Sequence, residues 1–117
     1  MSFVRRSGEL PTVHKKFFDG AGEAEMHTIL TGADEMHGKG RLFNHVMLPP
    51  GAEIGWHIHH GDGETYYILH GHGEYSDNGT VVTVGPGDTT YVGDGEGHSL
   101  INNTDEPLED IALILYT

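Results

Sequence analysis

The chain has 117 residues, enough for one domain and one modest core. Six Lys and Arg stand against 18 Asp and Glu, a formal net charge of −12, which argues against a nucleic-acid groove or an anionic membrane surface as partner. Cysteine is absent, which excludes disulfides, zinc–thiolate clusters, iron–sulfur ligation and thiol nucleophiles together.

Residues 1–20 carry no committed pattern, and termini of this kind stay loose unless they dock. They contain Arg5 and Arg6 but no apolar stretch of a signal peptide. A strand is predicted over residues 25–31. All six basic residues lie in the first 41 positions, so any anion site further on needs a metal, a backbone dipole or the N-terminal third. Runs rich in β-branched and aromatic residues then predict strands over 41–48, 54–59, 65–70, 80–84, 89–92, 98–102 and 108–116. The turn clusters Pro49-Pro50-Gly51, Asp77-Asn78-Gly79, Gly85-Pro86-Gly87-Asp88 and 103–107 separate several of them. No window after Gly20 sustains a 3.6-residue apolar period, so little helix is expected. Short strands at this spacing predict an all-β sandwich or barrel. The longest apolar run, Ile111 to Tyr116, is too short to span a bilayer, and a soluble, cytoplasmic protein is expected.

Chemistry concentrates at His57-Ile58-His59. On a strand, residues i and i+2 share a face about 6.6 Å apart, so two imidazoles can converge on one ion; on a helix they would point roughly 200° apart. His60-Gly61-Asp62-Gly63 reads as a reversal that can return Glu64 beside them. His98 opens another strand after Gly93-Asp94-Gly95-Glu96-Gly97. Three imidazoles and one carboxylate suit a divalent first-row metal: Mn, Fe, Co, Ni, Cu or Zn.

The spacing is specific. Gly51, five residues, His57-x-His59, four residues, Glu64, six residues and Gly71 form one block; Gly87, five residues, Gly93-x-Gly95, two residues, His98, three residues and Asn102 form another. These blocks resemble the two signature motifs of the cupin superfamily, with Gly93 where the family usually has Pro. The resemblance covers about residues 41–117 and implies a small antiparallel jelly-roll β-barrel with a metal inside. It implies His57, His59, Glu64 and His98 as the metal ligands. It also implies a homodimer, with residues 1–40 supplying strands that pack on the barrel or exchange between copies.

Other residues are candidates by position. Arg41, Phe43, His45 and Met47 share one face of the 41–48 strand, and Leu42, Asn44, Val46 and Leu48 the other. If the first face looks inward, His45 can touch substrate or act as acid/base; if outward, it is a sheet-surface residue. Arg41 is the nearest cation for a carboxylate or phosphate, and Tyr66 shares the parity of Glu64 and can line the barrel. His60 has the parity opposite to His57 and His59 and is expected to point away from the ion. His70-x-His72 with Asp77 partly echoes the first block, but is expected to be a pair of surface or barrel-mouth histidines beside an Asp-Asn-Gly turn.

Within the superfamily, oxalate decarboxylases carry an Arg shortly before the first ligand; here that stretch is Glu53-Ile54-Gly55-Trp56. Two functions follow from the resemblance. One is a metal-dependent oxygenase, isomerase or lyase acting on a small oxygen-rich metabolite such as an oxo-acid, dicarboxylate or sugar. The other is a non-catalytic metal or small-ligand binding protein.

Overall fold

The computed structural model describes residues 2–117. Its strands are β1 (Thr12–Lys15), β2 (Ala24–Leu30), β3 (Gly40–Leu48), β4 (Glu53–Ile58), β5 (Asp62–His70), β6 (Gly73–Asp77), β7 (Thr80–Val84), β8 (Thr89–Val92), β9 (Gly97–Ile101) and β10 (Leu108–Tyr116). They form a six-stranded sheet in the order β1-β2-β3-β10-β5-β8 and a four-stranded sheet in the order β4-β9-β6-β7. All of these strand pairs are antiparallel. Among the described residues, helix is confined to one 3₁₀ turn at Ser7–Glu9 and one short helix, α1 (Gly32–Glu35). Among the described residues no helix is long and apolar enough to cross a membrane. This is the antiparallel jelly-roll architecture that the motifs implied, almost free of helix.

The alternation of β10 shows how sequence sets the layers. Leu108, Asp110, Ala112 and Ile114 are buried, while the residues between them are only partly so. From Glu64 on, β5 alternates likewise, burying Glu64, Tyr66 and Ile68 and leaving Thr65 and Tyr67 less covered. Both strands turn one face inward, as a period of two requires. Val46, Leu48, Tyr66, Ile68 and Leu108 from the larger sheet meet Ile54, Tyr75, Val84 and Leu100 from the smaller one in a single buried cluster. The core is therefore the space between the sheets, and polar residues on the inner faces must find partners there.

Two strands were not predicted. β6 begins at Gly73 and follows Gly71, both poor strand formers; a Cβ at Gly73 would stand 2.7 Å from the Ile101 carbonyl oxygen, so close packing explains the glycine. It joins β7 through Asn78 and Gly79, whose φ angles of +51° and +97° suit the expected Asp-Asn-Gly turn. β1 is exposed along all four residues, so it lacks the alternation that marks a half-buried strand. It pairs with β2, which pairs with β3, so the N-terminal third continues the larger sheet of this same chain. Arg5 ties that third down by donating to the Ile29 carbonyl at 2.8 Å and to the Glu35 carboxylate at 2.9 Å. The guanidinium holds the Glu35 carboxyl down to about 2.

Candidate metal centre

β4 and β9 lie side by side, and past a register shift between Ile54 and His57 the strands place His57 opposite His98. β5 brings Glu64 across from the larger sheet, and His59 follows directly on β4. One ligand atom from each of His57, His59, Glu64 and His98 lies within 4.8 Å of the others. Glu64 Oε1 is 3.1 Å from His59 Nε2, 3.1 Å from His98 Nε2 and 3.6 Å from His57 Nε2. His57 Nε2 and His98 Nε2 are 3.1 Å apart. Donors about 2.1 Å from one ion stand about 3.0 Å apart at right angles and about 3.4 Å apart in a tetrahedron. The four atoms thus have the spacing of a coordination sphere.

What fixes the rings is behind them. His57 Nδ1 donates to the Gly55 carbonyl at 2.8 Å, and His59 Nδ1 donates to Asp62 Oδ1 at 2.7 Å. The Tyr75 hydroxyl stands 2.8 Å from His98 Nδ1. With the Nδ1 protons directed outward, the Nε2 lone pairs point inward. Three ring nitrogens and a carboxylate oxygen at these distances need either protons or a cation shared among them. The donor set therefore fits a divalent first-row ion, and the absence of thiolates leaves nothing to restrict it to the softer metals.

Burial sharpens the electrostatics. Burial pushes the Glu64 carboxyl up, but contacts from His57, His59 and His98 outweigh it and hold the group well below the usual carboxylate range. Burial pulls the His98 imidazole down, which favours its neutral form. Glu64 and Asp62 together push His59 up against its own desolvation. Burial also pushes the Asp62 carboxyl up, yet the hydrogen bonds from Arg41 and His59 leave it below its ordinary value.

In the sequence Asp62 belongs to the His60–Gly63 reversal, and its role here is different. It opens β5, braces His59, and accepts from Arg41 Nε at 2.7 Å. Arg41 is therefore at the site but paired, with its side chain about half exposed. Tyr66 is buried and its ring stacks on His98 with centroids 4.9 Å apart. Tyr75 also went unread, because it sits on the strand that was not predicted.

His45 requires a correction. Asn44, Val46 and Leu48 take the inward face of β3, so His45 lies on the outer face of the larger sheet. There it pairs with Glu109 at 3.0 Å and stacks on His27. Those neighbours occupy the inward face, which leaves His45 no path to the metal donors. His70 and His72 are exposed, and His60 is exposed at the rim of the chamber below.

The loop before His98 departs from the family pattern at Gly93. The Gly93 amide donates to Glu96 Oε1 at 2.8 Å, a bond that Pro has no N–H to make. The Gly95 amide donates to the His59 carbonyl and the His59 amide to the Glu96 carbonyl, so this loop is stitched directly to the metal strand.

The cluster opens into a chamber of about 390 Å³ between the sheets. Phe18 forms part of its rim and stacks on His57 with centroids 4.0 Å apart. The strap that carries it is held along β4 by hydrogen bonds from Glu53 to Ala21 and from Gly55 to Phe17. Phe18 and Asp19 both take positive φ, uncommon for residues with side chains.

The "Cupin domain" family profile matches residues 44–114, well over half of the chain. The chain belongs to the cupin family. This cupin is 41% identical over 112 residues to the oxalate-binding protein of Thermotoga maritima, covering 96% of this chain and 92% of that one. It is similar to the crystal structure of a predicted oxalate decarboxylase from the same organism, with a TM-score of 0.92 and 40% identity, covering 98% of this chain and 100% of that one. It shares its fold with the polyketide cyclase RemF of Streptomyces resistomycificus at 16% identity and a TM-score of 0.78, over 99% of this chain and 80% of that one. A cupin with a His/Glu cluster able to hold a metal is thus on firm ground.

Proposed function

We propose that His57, His59, Glu64 and His98 hold one divalent first-row transition ion, and that this cupin uses it on a small oxygen-rich metabolite. The observation that carries the reading is the aim of the three Nε2 atoms. Each of the three rings has a partner at Nδ1, and all three Nε2 atoms face one carboxylate oxygen. Such an ion, when bound, supplies Lewis acidity toward an oxygen donor.

The chain's own residues do the rest. Glu64 lowers the charge of the ion by one. Asp62 holds the His59 ring in place, and Arg41 neutralises Asp62. Phe18 covers the exposed side of His57. The reading takes the substrate to be an oxo-acid or related chelator, turned over by oxygenase or isomerase/lyase chemistry. A second reading, a non-catalytic binding protein, is favoured by the name of the Thermotoga maritima relative, which is called an oxalate-binding protein. A homodimer belongs to the same proposal, supported by the exposed Tyr67, Leu69 and Tyr91 on strands of the larger sheet, as does a cytoplasmic location.

Elemental analysis of the purified chain tests the metal. One ion per chain is expected in the wild type and close to none in the His57→Ala/His98→Ala double variant. Undiminished metal in the double variant overturns the assignment.

A further inference from the structure

We infer that the ligand of this chamber is a chelating monocarboxylate with a hydrocarbon tail, a 2-oxo or 2-hydroxy acid, and not a bare dicarboxylate. The head group rests on the metal reading above; the tail rests on the chamber alone.

Size comes first. A water takes about 10–15 Å³ of such a space, so at one water's share per heavy atom a six-atom dicarboxylate takes roughly 60–90 Å³. The chamber holds about 390 Å³, so most of it stays open.

Away from the donors, much of the lining is apolar. Met26, Leu42, Val46, Ile54, Ala112 and Ile114 line the chamber. Val46, Ala112, Ile54 and Ile114 are at most 3% exposed. Water against these side chains finds few of the polar partners that make a buried water favourable, whereas a hydrocarbon tail gains the transfer free energy of each buried methylene. The metal donors come from β4 and its end, β5 and β9, and all of these apolar side chains but Ile54 from the neighbouring strands β2, β3 and β10, so a ligand meets charge on one side and hydrocarbon on the other.

Charge points the same way. A divalent ion, Glu64, Asp62 and Arg41 sum to one positive charge. A monocarboxylate whose second donor is a neutral oxygen balances it. A dianion leaves an excess negative charge in a partly enclosed site, because Arg41 is already engaged by Asp62 at 2.7 Å. Leu42 to Thr117 supply no other Lys or Arg.

Calorimetric titration of the chain, loaded with the metal that elemental analysis finds, tests this. The probes are oxalate, glyoxylate, 2-oxobutyrate, 2-oxohexanoate and 2-oxooctanoate. Kd is expected to fall about fourfold per added methylene, with 2-oxohexanoate binding more tightly than oxalate. Ala112→Phe, which fills the hydrocarbon side, is expected to remove at least tenfold of the gain of the longest acid. A Kd that stays flat or rises with chain length in metal-loaded protein overturns the inference, as does oxalate binding more tightly than every tailed acid. Should the chain take up no metal, the metal reading fails by itself. Straight-chain carboxylates then replace the oxo-acids on the metal-free chain, and a flat series there overturns the tail as well.

Discussion

Two histidine clusters, one between the sheets and one on the outer face of the larger sheet, differ in aim more than in composition. Inside, His57, His59 and His98 direct Nε2 at one oxygen of Glu64. Outside, His14, His27 and His45 sit with Glu25 and Glu109. There Glu25 gives one oxygen to His14 and the other to His27, each at 2.8 Å, while His45 pairs separately with Glu109. The outer groups satisfy one another in pairs, and no point is left at which several donors meet. The inner rings have partners behind them, so their free nitrogens converge. A metal-holding cluster therefore needs outward braces as much as ligands.

The sharpest way to break this contrast is to remove a brace while keeping every ligand. Asp62→Asn keeps the size of the side chain but removes the charge that orients His59. It is expected to weaken metal affinity about 10- to 100-fold. Glu109→Gln makes the same chemical change beside His45 and is expected to leave metal affinity unchanged. Competition with a chromophoric chelator reads both. Equal effects in the two variants would erase the distinction between the clusters.

The sequence signals were uneven for physical reasons. The ligands were legible because a coordination sphere demands fixed residue types at fixed offsets, and His57-x-His59 makes sense only on a strand. The braces were not legible. Asp62 follows Gly61 and looks like turn chemistry; only the fold shows that its carboxylate reaches back to His59. Tyr75 stayed hidden because Gly71 and Gly73 masked β6, and those glycines reflect packing against Pro107 and Ile101 that no local pattern announces. The aim of His45 was undecidable because both faces of β3 mix apolar and polar residues. β10 settles it by packing on that strand with Asp110 opposite Val46 and Leu108 opposite Leu48. Phe18 lies in a strap with no periodicity at all, fixed by backbone bonds to β4.

Asp110 offers a second test, because it is an inward carboxylate with no brace. It is fully buried, and neither oxygen has a hydrogen-bond partner within the described residues. Burial, with Glu64 nearby, raises its carboxyl well above the ordinary 3.8. The folded chain therefore holds this proton more tightly than the unfolded chain, and stability is lost as pH rises from about 4. Asp110→Val has a similar shape and no charge. It is expected to stabilise the chain by about 1–3 kcal/mol at pH 8, and by less at pH 4. Denaturant midpoints at the two values check this. A variant weakened at both would show that the carboxyl has a favourable role that its surroundings do not reveal.

The smallest effect belongs to the outer cluster. His45→Ala removes a part-exposed pair whose side chains are 32% and 33% accessible. Exposed pairs of this kind contribute about 1 kcal/mol or less, and salt screens them further. In a domain of this size that is a change in Tm of roughly 4 °C at most. Metal content is expected to stay at the wild-type level, since His45 is separated from the donors by the inward side chains of β3. Melting curves with and without 1 M salt, paired with elemental analysis, read both quantities on one sample. Metal lost along with the Tm would mean that the outer histidines act through the sheet on the inner ones, and the two clusters would then have to be treated as one coupled system.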